Sequence, residues 1–452
     1  MKRSYFGTDG IRGVANSNPL TPETMVRLGK AIAKVFLAHK GKHRVLIGKD
    51  TRLSGYMLET ALSAGITAMG ADVLLVGPVP TPGVSYLTKS MRADAGIVIS
   101  ASHNPFEDNG IKIFGADGLK LSDAIEQELE DLLSSSALDE EVASPSSIGK
   151  ATRINDAIGR YTVFLKSHFP RELSIEGIKI GLDCANGAAY VVAPQTYLEL
   201  GAEVVSRGVS PNGRNINAGF GSLYPEVVAK LVKEQNLDIG VSLDGDADRC
   251  ILVDEEGRVL DGDAMLAIAA IHLKEKGKLR GDGVVGTVMS NLALEVLLRE
   301  RGISFVRAPV GDRYVLEELT KNDYILGGEQ SGHMIFKDIS PAGDGILTSL
   351  MILSIMAETG KKLSELAADF KPFPQKLINV PVVTKPPLES LPEVETALKK
   401  AQNTLGDLGR VLVRYSGTEN KVRVMVEARD ESLCKQTAQD VAVVLEKEIG
   451  AI

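Results

Sequence analysis

The sequence predicts an α/β protein with three related domains of parallel or mixed sheets and a smaller C-terminal α+β domain, around a central cleft. Short β-branched segments alternate with longer amphipathic segments, which is typical of repeated strand–helix–strand units. The strand ends form three similar pairs, each separated by a helix-rich stretch. A chain of 452 residues has room for about three domains, with two or four also within range.

The first helix and strand show the pattern clearly. Thr21 and Pro22 are a capping residue followed by proline at the first helical position. Apolar residues then recur at helical spacing, namely Met25, Leu28, Ile32, Val35 and Phe36. The apolar run 45–47 predicts the next strand, and the order strand, helix, strand indicates βαβ units.

Three later strands each lead into a polar loop. The strand at 97–99 precedes SASHNP, the strand at 239–243 precedes DGDADR, and the strand at 324–326 precedes GGEQSGH. Their partners in the pairs are the strands at 45–47, 178–180 and 284–285. Because ligands bind beyond the carboxyl ends of strands in open α/β sheets, we expect the three loops to meet in one cleft.

Composition suggests where the domains end. The serine-rich stretch 134–147 is predicted to be a linker, and the turn at 255–257 separates the next two domains. Pro372, Pro374, Pro386 and Pro387 mark the entry to the last domain. This domain contains strand-like runs at 411–413 and 422–426 and ends in an amphipathic helix. The predicted domains are 1–150, 151–255, 256–370 and 371–452.

Charge, cysteine content and hydropathy exclude several classes of protein. Lys plus Arg total 51 and Asp plus Glu total 59, so the net charge of −8 disfavours general binding to nucleic acid or an anionic membrane. Three cysteines without a CxxC pair suit a reducing compartment. No signal-peptide stretch follows the first residues, and the apolar patch 345–357 is too short to span a bilayer. We expect a cytoplasmic protein whose partner is a small molecule.

Alternating carboxylates form the strongest candidate for a metal site. Asp244, Asp246 and Asp248 follow a strand, and a set of oxygen ligands favours a hard cation such as Mg²⁺. An EF-hand is one alternative, but Arg249 stands where that loop requires glycine, and both flanks are predicted strands. A solvated acidic turn is the other alternative.

The first polar loop carries a serine next to a histidine. Ser102 beside His103 suggests a nucleophile near a base, although Ser, Asn and Pro also suit an ordinary turn. The GxSxG elbow of hydrolases is absent from this loop. A phosphate on Ser102 would add acceptor oxygens and about two negative charges. With the three aspartates it would complete an all-oxygen Mg²⁺ site.

Two further loops suit polar ligands. Glu329, Ser331 and His333 alternate in a glycine-containing loop that fits sugar hydroxyls, with a flexible hairpin as the alternative. Near the C-terminus, two guanidiniums, two hydroxyls and a glycine turn fit a phosphate, with an ordinary surface turn as the alternative. These last residues are Arg414, Ser416, Gly417, Thr418 and Arg423.

With these motifs, the chain resembles the α-D-phosphohexomutases. The matching segments are GTDGIRG at 7–13, SASHNPFEDNGIK at 100–112, DGDADR at 244–249, GGEQSGH at 327–333 and RYSGTEN at 414–420. They occur in the order of the family and span nearly the whole chain. Ala101 and Gln330 resemble the glucosamine branch, whereas Tyr415 and Asn420 stand where the family would have prolines.

The resemblance implies a mechanism. Phosphorylated Ser102 gives its phosphoryl group to a hydroxyl of a bound hexosamine phosphate, a hexosamine 1,6-bisphosphate forms as intermediate and activator, and the other phosphate returns to Ser102. One Mg²⁺ per chain is held by a Ser102 phosphate oxygen with Asp244, Asp246 and Asp248. The implied sugar contacts are Glu329, Ser331 and His333, and the implied contacts of the non-reacting phosphate are Arg414, Ser416, Gly417, Thr418 and Arg423.

Charge and proton transfer need further groups. Lys112, Arg249 and Arg12 can offset the charge of the phosphate in transit. The attacking hydroxyl also needs a proton acceptor, for which Lys112 and His103 both stay open.

The implied activity is the interconversion of glucosamine 6-phosphate and glucosamine 1-phosphate, an isomerase step of amino-sugar metabolism that leads to UDP-N-acetylglucosamine and peptidoglycan precursors. A mannose or glucose phosphate mutase is the nearest alternative, followed by a metal-dependent sugar phosphatase and a non-catalytic sugar-phosphate sensor. A homodimer, and an activating kinase or autophosphorylation at Ser102, are left open by the sequence.

Overall fold

The computed structural model of the chain describes residues 5–7, 10–36, 41–139, 141–416 and 420–450. They form two compact units, one of residues 1–288 and 306–367 and one of residues 289–305 and 368–452. Within the described ranges, every helix is too short or too polar to cross a membrane.

The first sheet has seven strands in mixed orientation. Its region contains β1 (Phe6–Gly7), β2 (Gly10–Val14), α1 (Pro22–Phe36), β3 (Arg44–Lys49), α2 (Ser54–Ala68), β4 (Asp72–Pro78), α3 (Thr81–Ser90), β5 (Ala95–Ile99), β6 (Asp108–Gly115), α4 (Asp123–Ser134) and β7 (Ala151–Arg153). The strand order is β1-β2-β6-β5-β3-β4-β7. β3 runs parallel to β4 and β5, whereas β6 is antiparallel to β5.

The first predicted helix and strand are confirmed as α1 and β3. The Thr21 hydroxyl accepts the N–H of Thr24, so the predicted helix start is also confirmed. α1 packs closely on α2 because Gly29 has no side chain, and a Cβ there would lie 2.5 Å from the carbonyl oxygen of Leu62.

The serine-rich stretch differs from the prediction of a simple linker. It contains two short 3₁₀ turns, Ser136–Leu138 and Pro145–Ser147. Leu138 is fully buried, and the N–H of Ala143 donates to the carbonyl of Ala68 at the end of α2. The segment is therefore packed against the first sheet's helices, a contact that composition alone does not reveal.

The second sheet has five strands. Its region contains α5 (Ala157–Ser167), β8 (Lys179–Asp183), α6 (Val192–Glu199), β9 (Glu203–Arg207), α7 (Pro225–Gln235), β10 (Ile239–Leu243), β11 (Cys250–Asp254) and β12 (Val259–Leu260). The order is β12-β11-β10-β8-β9, with β10 parallel to β8 and antiparallel to β11.

The third sheet has four strands. Its region contains α8 (Gly262–Glu275), β13 (Gly283–Thr287), α9 (Leu292–Glu300), β14 (Ser304–Ala308), α10 (Asp312–Lys321), β15 (Leu326–Gly328), β16 (Met334–Phe336), α11 (Gly345–Thr359) and α12 (Leu363–Leu366). The order is β14-β13-β15-β16. β15 begins two residues later than the predicted strand 324–326, and its antiparallel partner is β16.

The second unit contains an antiparallel sheet of three strands. Its main elements are β17 (Gln375–Pro381), α13 (Pro392–Leu405), β18 (Gly409–Tyr415), β19 (Lys421–Ala428) and α14 (Glu431–Ile449). β19 lies in the middle, and the predicted C-terminal helix is confirmed as α14. Mixed sheets in three α/β regions and a smaller last domain confirm the predicted fold class.

The three polar loops follow equivalent strands. β5, β10 and β15 each run parallel to a neighbour, and each continues through its loop into an antiparallel strand, namely β6, β11 and β16. All three loops lie within the first unit.

Candidate active site

Ser102 lies at the centre of the loop between β5 and β6. Its side chain is 1% exposed, and its hydroxyl donates to Asp244 Oδ2 at 2.6 Å. The backbone of Ser102 is left-handed, with φ 51°, which is uncommon for a residue with a Cβ. Its N–H donates to the hydroxyl of Ser100. The sequence-predicted nucleophile therefore contacts the sequence-predicted metal loop.

The three aspartates come together after β10. Ligand atoms of Asp244, Asp246 and Asp248 all lie within 4.8 Å of one another, and all three residues are buried. Among the described residues, it is the one group of three His, Cys, Asp or Glu side chains close enough together to share a metal ion. Ala247 has φ 55°, and this tight turn brings alternate carboxylates to one side.

The donor set fits a hard divalent cation. Asp246 Oδ1 and Asp248 Oδ1 are buried and lack a hydrogen bond within the described part of the chain. Buried carboxylate oxygens without a hydrogen bond carry a desolvation cost that a cation would offset. Oxygen-only ligands favour Mg²⁺ over softer metals.

Electrostatics divide the three carboxylates. Burial and the charges of Asp248 and Asp246 raise the pKa of Asp244 well above its usual value. Burial acts in the same direction on Asp248, but Lys112, His333 and Arg249 outweigh it and hold its pKa well below the usual value. The site therefore holds concentrated negative charge that is partly balanced by neighbouring cations.

Lys112 and Thr81 attach the metal loop to the first sheet. Lys112 Nζ donates to Asp246 at 3.0 Å and to Asp248 at 3.2 Å. The Thr81 hydroxyl donates to Asp246 at 2.6 Å, and its backbone N–H donates to the carbonyl of Asp246. These bonds fix the direction of the carboxylates before any cation binds.

Two arginines and a histidine lie next to Ser102 and its loop. His103 Nδ1 lies 3.2 Å from the Ser102 hydroxyl and 3.1 Å from Arg249 Nη1. Burial, Arg249 and Arg12 lower the pKa of His103, so its ring is neutral near neutral pH. Arg12 Nη1 donates to the carbonyl of Ala101 at 3.4 Å. The structure thus brings Arg12 and Arg249, two of the predicted cations, to the loop that carries Ser102.

The third loop presents Glu329, Ser331 and His333 beside the metal loop. Glu329 accepts the N–H of Gly311 at 2.8 Å and the Ser331 hydroxyl at 3.1 Å. His333 is buried with Nδ1 3.7 Å from Asp248 Oδ1. Burial alone would lower its pKa, but Asp248 and other carboxylates raise it.

A cavity of about 470 Å³ opens beside these loops. It is lined by residues of all three sheets' regions, including Lys120, Arg249, Asp312, Glu329 and His333. That volume is within the range of small-molecule sites, and the polar lining suits a phosphorylated sugar.

The predicted phosphate contacts lie in the second unit, on the β18–β19 hairpin. Arg414 and Arg423 are direct cross-strand partners, so their guanidiniums share one face. Ser416 is buried, and its carbonyl accepts Lys385 Nζ at 2.8 Å. Gly417 and Thr418 lie outside the described residues.

Sequence reasoning missed several residues of the site. Thr81 contacts Asp246, Arg52 and Asn217 contact the backbone of Ser102, and Lys385 contacts the β18–β19 hairpin. The sequence shows Thr81 only as a threonine before Pro82 at a helix start, which does not indicate a contact with Asp246. The segment GKDTRLSG that contains Arg52 follows a strand of a recognised pair, which was the available signal for a functional loop.

Family models match almost the entire chain. The models are named Phosphoglucomutase/phosphomannomutase, with alpha/beta/alpha domain I at residues 3–139, domain II at 160–257, domain III at 261–373 and the C-terminal domain at 377–444.

Full-length relatives carry a more specific name. The chain is 54% identical over 451 residues to the phosphoglucosamine mutase of Syntrophotalea carbinolica. The alignment covers 100% of this chain and 99% of that relative. It is 53% identical to the phosphoglucosamine mutase of Geobacter metallireducens, with 99% of each chain covered.

Solved structures share the fold. A phosphoglucomutase/phosphomannomutase family protein from Burkholderia thailandensis has a TM-score of 0.80 at 24% identity, with 100% of both chains covered. The N-acetylphosphoglucosamine mutase of Aspergillus fumigatus, solved with GlcNAc-6P and magnesium, has a TM-score of 0.62 at 18% identity, covering 99% of this chain and 96% of that one.

Proposed function

This chain belongs to the phosphoglucomutase/phosphomannomutase family, and from that premise we propose that it is an isomerase that interconverts glucosamine 6-phosphate and glucosamine 1-phosphate. The observation that carries the proposal is the 2.6 Å contact between the Ser102 hydroxyl and Asp244, inside a cluster of three buried carboxylates at a polar cavity. The relatives with 53–54% identity over the full chain support the choice of the amino sugar.

In the proposed reaction, Ser102 carries the phosphoryl group between turnovers. The Oγ–P bond of phosphoserine breaks as a sugar hydroxyl oxygen forms a new bond to phosphorus. The hydroxyl proton passes to a base, and a proton is delivered to the leaving Ser102 Oγ, so the serine hydroxyl is restored. The resulting 1,6-bisphosphate reorients so that its other phosphoryl group faces Ser102. That group is then transferred to Ser102 Oγ. Phosphate is conserved, so the net change is isomerisation.

The chain's own residues supply position and charge for this transfer. Arg12 and Arg249 contact the Ser102 loop, Lys112 contacts Asp246, and all three offset negative charge. Glu329, Ser331 and His333 face the sugar, and Arg414, Ser416, Gly417, Thr418 and Arg423 hold the phosphate that does not react. His103 and Lys112 both stay candidates for the base.

A magnesium ion is part of the proposal. Asp244, Asp246 and Asp248 would hold it with one oxygen of the Ser102 phosphate, and the fungal structure with the same fold was solved with magnesium. The bound ion would neutralise charge on the phosphoryl group.

The domain division at 150, 255 and 370 is proposed as well, and the ends of the family-model matches support it. A cytoplasmic location, a homodimer and an activating kinase stay predictions.

The test compares three sugar phosphates. Purified protein with Mg²⁺ and a trace of hexose 1,6-bisphosphate is given glucosamine, mannose or glucose 6-phosphate, and the 1-phosphates are followed by ³¹P NMR. We expect the highest kcat/KM for glucosamine phosphate, without release of inorganic phosphate. A preference for a hexose without the amine would replace the assignment with a phosphomannomutase or phosphoglucomutase.

Release of inorganic phosphate equal to substrate loss would show a phosphatase, and binding without turnover would show a sensor. The intact mass of the purified chain, with the modified peptide located, measures the phosphate on Ser102 directly.

A further inference from the structure

Two buried side chains that so far have no role in the proposed reaction hold the backbone of the Ser102 loop. They are the guanidinium of Arg52, which follows β3, and the carboxamide of Asn217, from the second sheet's region. Both donate to the carbonyl oxygens of Ser102 and Asn104. We propose that this pair, which we name the carbonyl brace, positions Ser102 for phosphoryl transfer; the inference rests on the proposed role of Ser102.

Arg52 makes most of the brace. Its side chain is 0% exposed, and all three of its guanidinium nitrogens donate. Nη2 donates to Ser102 O and Asn104 O, each at 2.9 Å, and Nη1 donates to Pro105 O at 3.0 Å. A planar fork of five N–H groups suits this set of convergent carbonyls, and no other side chain offers the same geometry.

Asn217 reaches the same carbonyls from a separate sheet. Its Nδ2 donates to Ser102 O at 2.8 Å and to Asn104 O at 2.9 Å. Asn217 has φ 57°, a conformation that Asn tolerates better than most residues. The brace therefore joins the phosphoserine loop to the region that carries the metal loop.

The N-terminal side of Ser102 is also fixed. Asp50 accepts Arg52 Nε at 3.0 Å and the Ser100 hydroxyl at 2.6 Å, and that hydroxyl accepts the N–H of Ser102. Asp50 and Arg52 are both buried, so this ion pair is held away from solvent. Guanidinium, carboxylate and hydroxyl thus form one continuous chain of bonds from the carbonyl of Ser102 to its N–H.

The conformation of Ser102 explains why such support is needed. A left-handed serine is strained, because its Cβ crowds the backbone, and it persists only where its surroundings enforce it. This conformation accompanies the 2.6 Å contact of the hydroxyl with Asp244. A phosphoryl group on the same oxygen must be placed to within a fraction of an ångström for in-line transfer, so loss of the brace reduces the transfer step more than sugar binding.

Packing leaves little room for adjustment. A Cβ built on Gly245, in the metal loop, would lie 2.5 Å from Ser102 O and 2.8 Å from Asn217 Nδ2. The metal loop is therefore in close contact with the braced carbonyl, so a shift of Ser102 O would displace the carboxylates as well.

The experiment uses Arg52→Lys and Asn217→Ala in the full chain. Lysine keeps the positive charge near Asp50 but loses the planar fork, and alanine removes both carboxamide donors. We expect kcat to fall about 100-fold in Arg52→Lys and about tenfold in Asn217→Ala, with KM within about threefold of wild type. The rate at which glucose 1,6-bisphosphate phosphorylates Ser102, followed by intact mass, should fall in parallel.

Glu59→Gln is the matched control. Glu59 accepts Lys49 Nζ at 2.6 Å in the same region, is buried, and does not contact the loop. This variant should lower the melting temperature while leaving kcat and Ser102 phosphorylation unchanged.

Wild-type kcat and phosphorylation in both brace variants would overturn the inference. So would a fall in the kcat of Glu59→Gln as large as that in a brace variant with a similar loss of melting temperature, because general destabilisation would then explain both. If Arg52→Lys does not fold, Asn217→Ala decides the question alone. A wild-type protein that neither isomerises sugar phosphates nor becomes phosphorylated on Ser102 would instead refute the proposed function, together with the brace that depends on it.

Discussion

The Ser102 loop and the β18–β19 hairpin are both proposed to handle phosphate, yet they are built differently. Ser102 is 1% exposed, and side chains from two sheets' regions bond its hydroxyl, N–H and carbonyl. Arg414 is exposed, and it meets Arg423 simply as a cross-strand neighbour. A phosphoryl group in transfer needs fixed geometry, whereas a non-reacting phosphate needs charge and hydrogen bonds. Substitutions in the two regions should therefore affect different kinetic constants.

The largest expected effect is that of Ser102→Ala. Removal of the hydroxyl removes the carrier of the phosphoryl group, so turnover should fall by at least about 10³-fold. The fold should persist, because the brace contacts backbone atoms that alanine retains. Kinetics and a thermal melt measure the two results, and a near-normal rate would exclude Ser102 as the nucleophile.

A smaller loss is expected for Asp244→Asn. The amide can keep the bond from the N–H of Arg249, but it removes one negative ligand from the cluster. We expect the Mg²⁺ concentration for half-maximal activity to rise about tenfold or more and kcat to fall about 100-fold. In EDTA the melting temperature should stay the same or rise, because fewer buried carboxylates repel one another. An unchanged Mg²⁺ dependence would contradict the metal assignment.

The hairpin should affect binding. Arg423→Ala removes one of two adjacent guanidiniums, and a lost charge-assisted hydrogen bond corresponds to about a tenfold rise in KM. The value of kcat should change little if this region only holds the non-reacting phosphate. Lys385→Ala is a useful companion, since Lys385 bonds the carbonyl of Ser416. A fall in kcat with unchanged KM in Arg423→Ala would contradict the proposed difference between the hairpin and the Ser102 loop.

The smallest effect on activity is expected at Asp344, a buried acid of the first unit that does not take part in the proposed chemistry. It caps α11 through the N–H of Leu347 and accepts the hydroxyl of Tyr161 at 2.6 Å. Burial raises its pKa to about 6. The folded protein therefore binds the proton more tightly than the unfolded chain, and this group lowers stability as pH rises from about 4 to about 6.

The difference between pKa values of 3.8 and about 6 corresponds to at most roughly 3 kcal/mol in the free energy of unfolding. Asp344→Asn should remove that dependence on pH. The free energy of unfolding of the variant, relative to that of wild type, should therefore be higher at pH 7 than at pH 4. Urea unfolding across this range measures it, with kcat at pH 7 as the check on function. Parallel stability curves for the two proteins would contradict the assignment.

The sequence predicted those parts of the site that are local in the chain. Asp244, Asp246 and Asp248 stand at alternate positions of one loop directly after a strand. Their closeness in space could therefore be predicted from the local sequence alone. Thr81, Arg52 and Asn217 bond atoms that lie 165, 50 and 115 residues away, and only the packing of two sheets brings them together.

Errors in the predicted elements have the same origin. The serine-rich stretch 134–147 has a linker composition, but the buried Leu138 ties it to the fold. β15 starts at Leu326 because pairing with β13 and β16, rather than local apolar content, sets its limits.

The burial of Ser102 has a consequence for how a newly made chain starts work. An enzyme that phosphorylates proteins must take the target residue into its own catalytic groove, and here that would require the whole segment from Ser100 to Asn104 to leave its bonds to Arg52, Asn217 and Asp50. A small phosphate ester is of a size that suits the neighbouring cavity of about 470 Å³, so it asks for a smaller opening at Ser102 than a protein kinase does. We therefore expect first activation to come from a diffusible sugar bisphosphate, so that freshly synthesised molecules are primed by bisphosphate intermediate released from those already active.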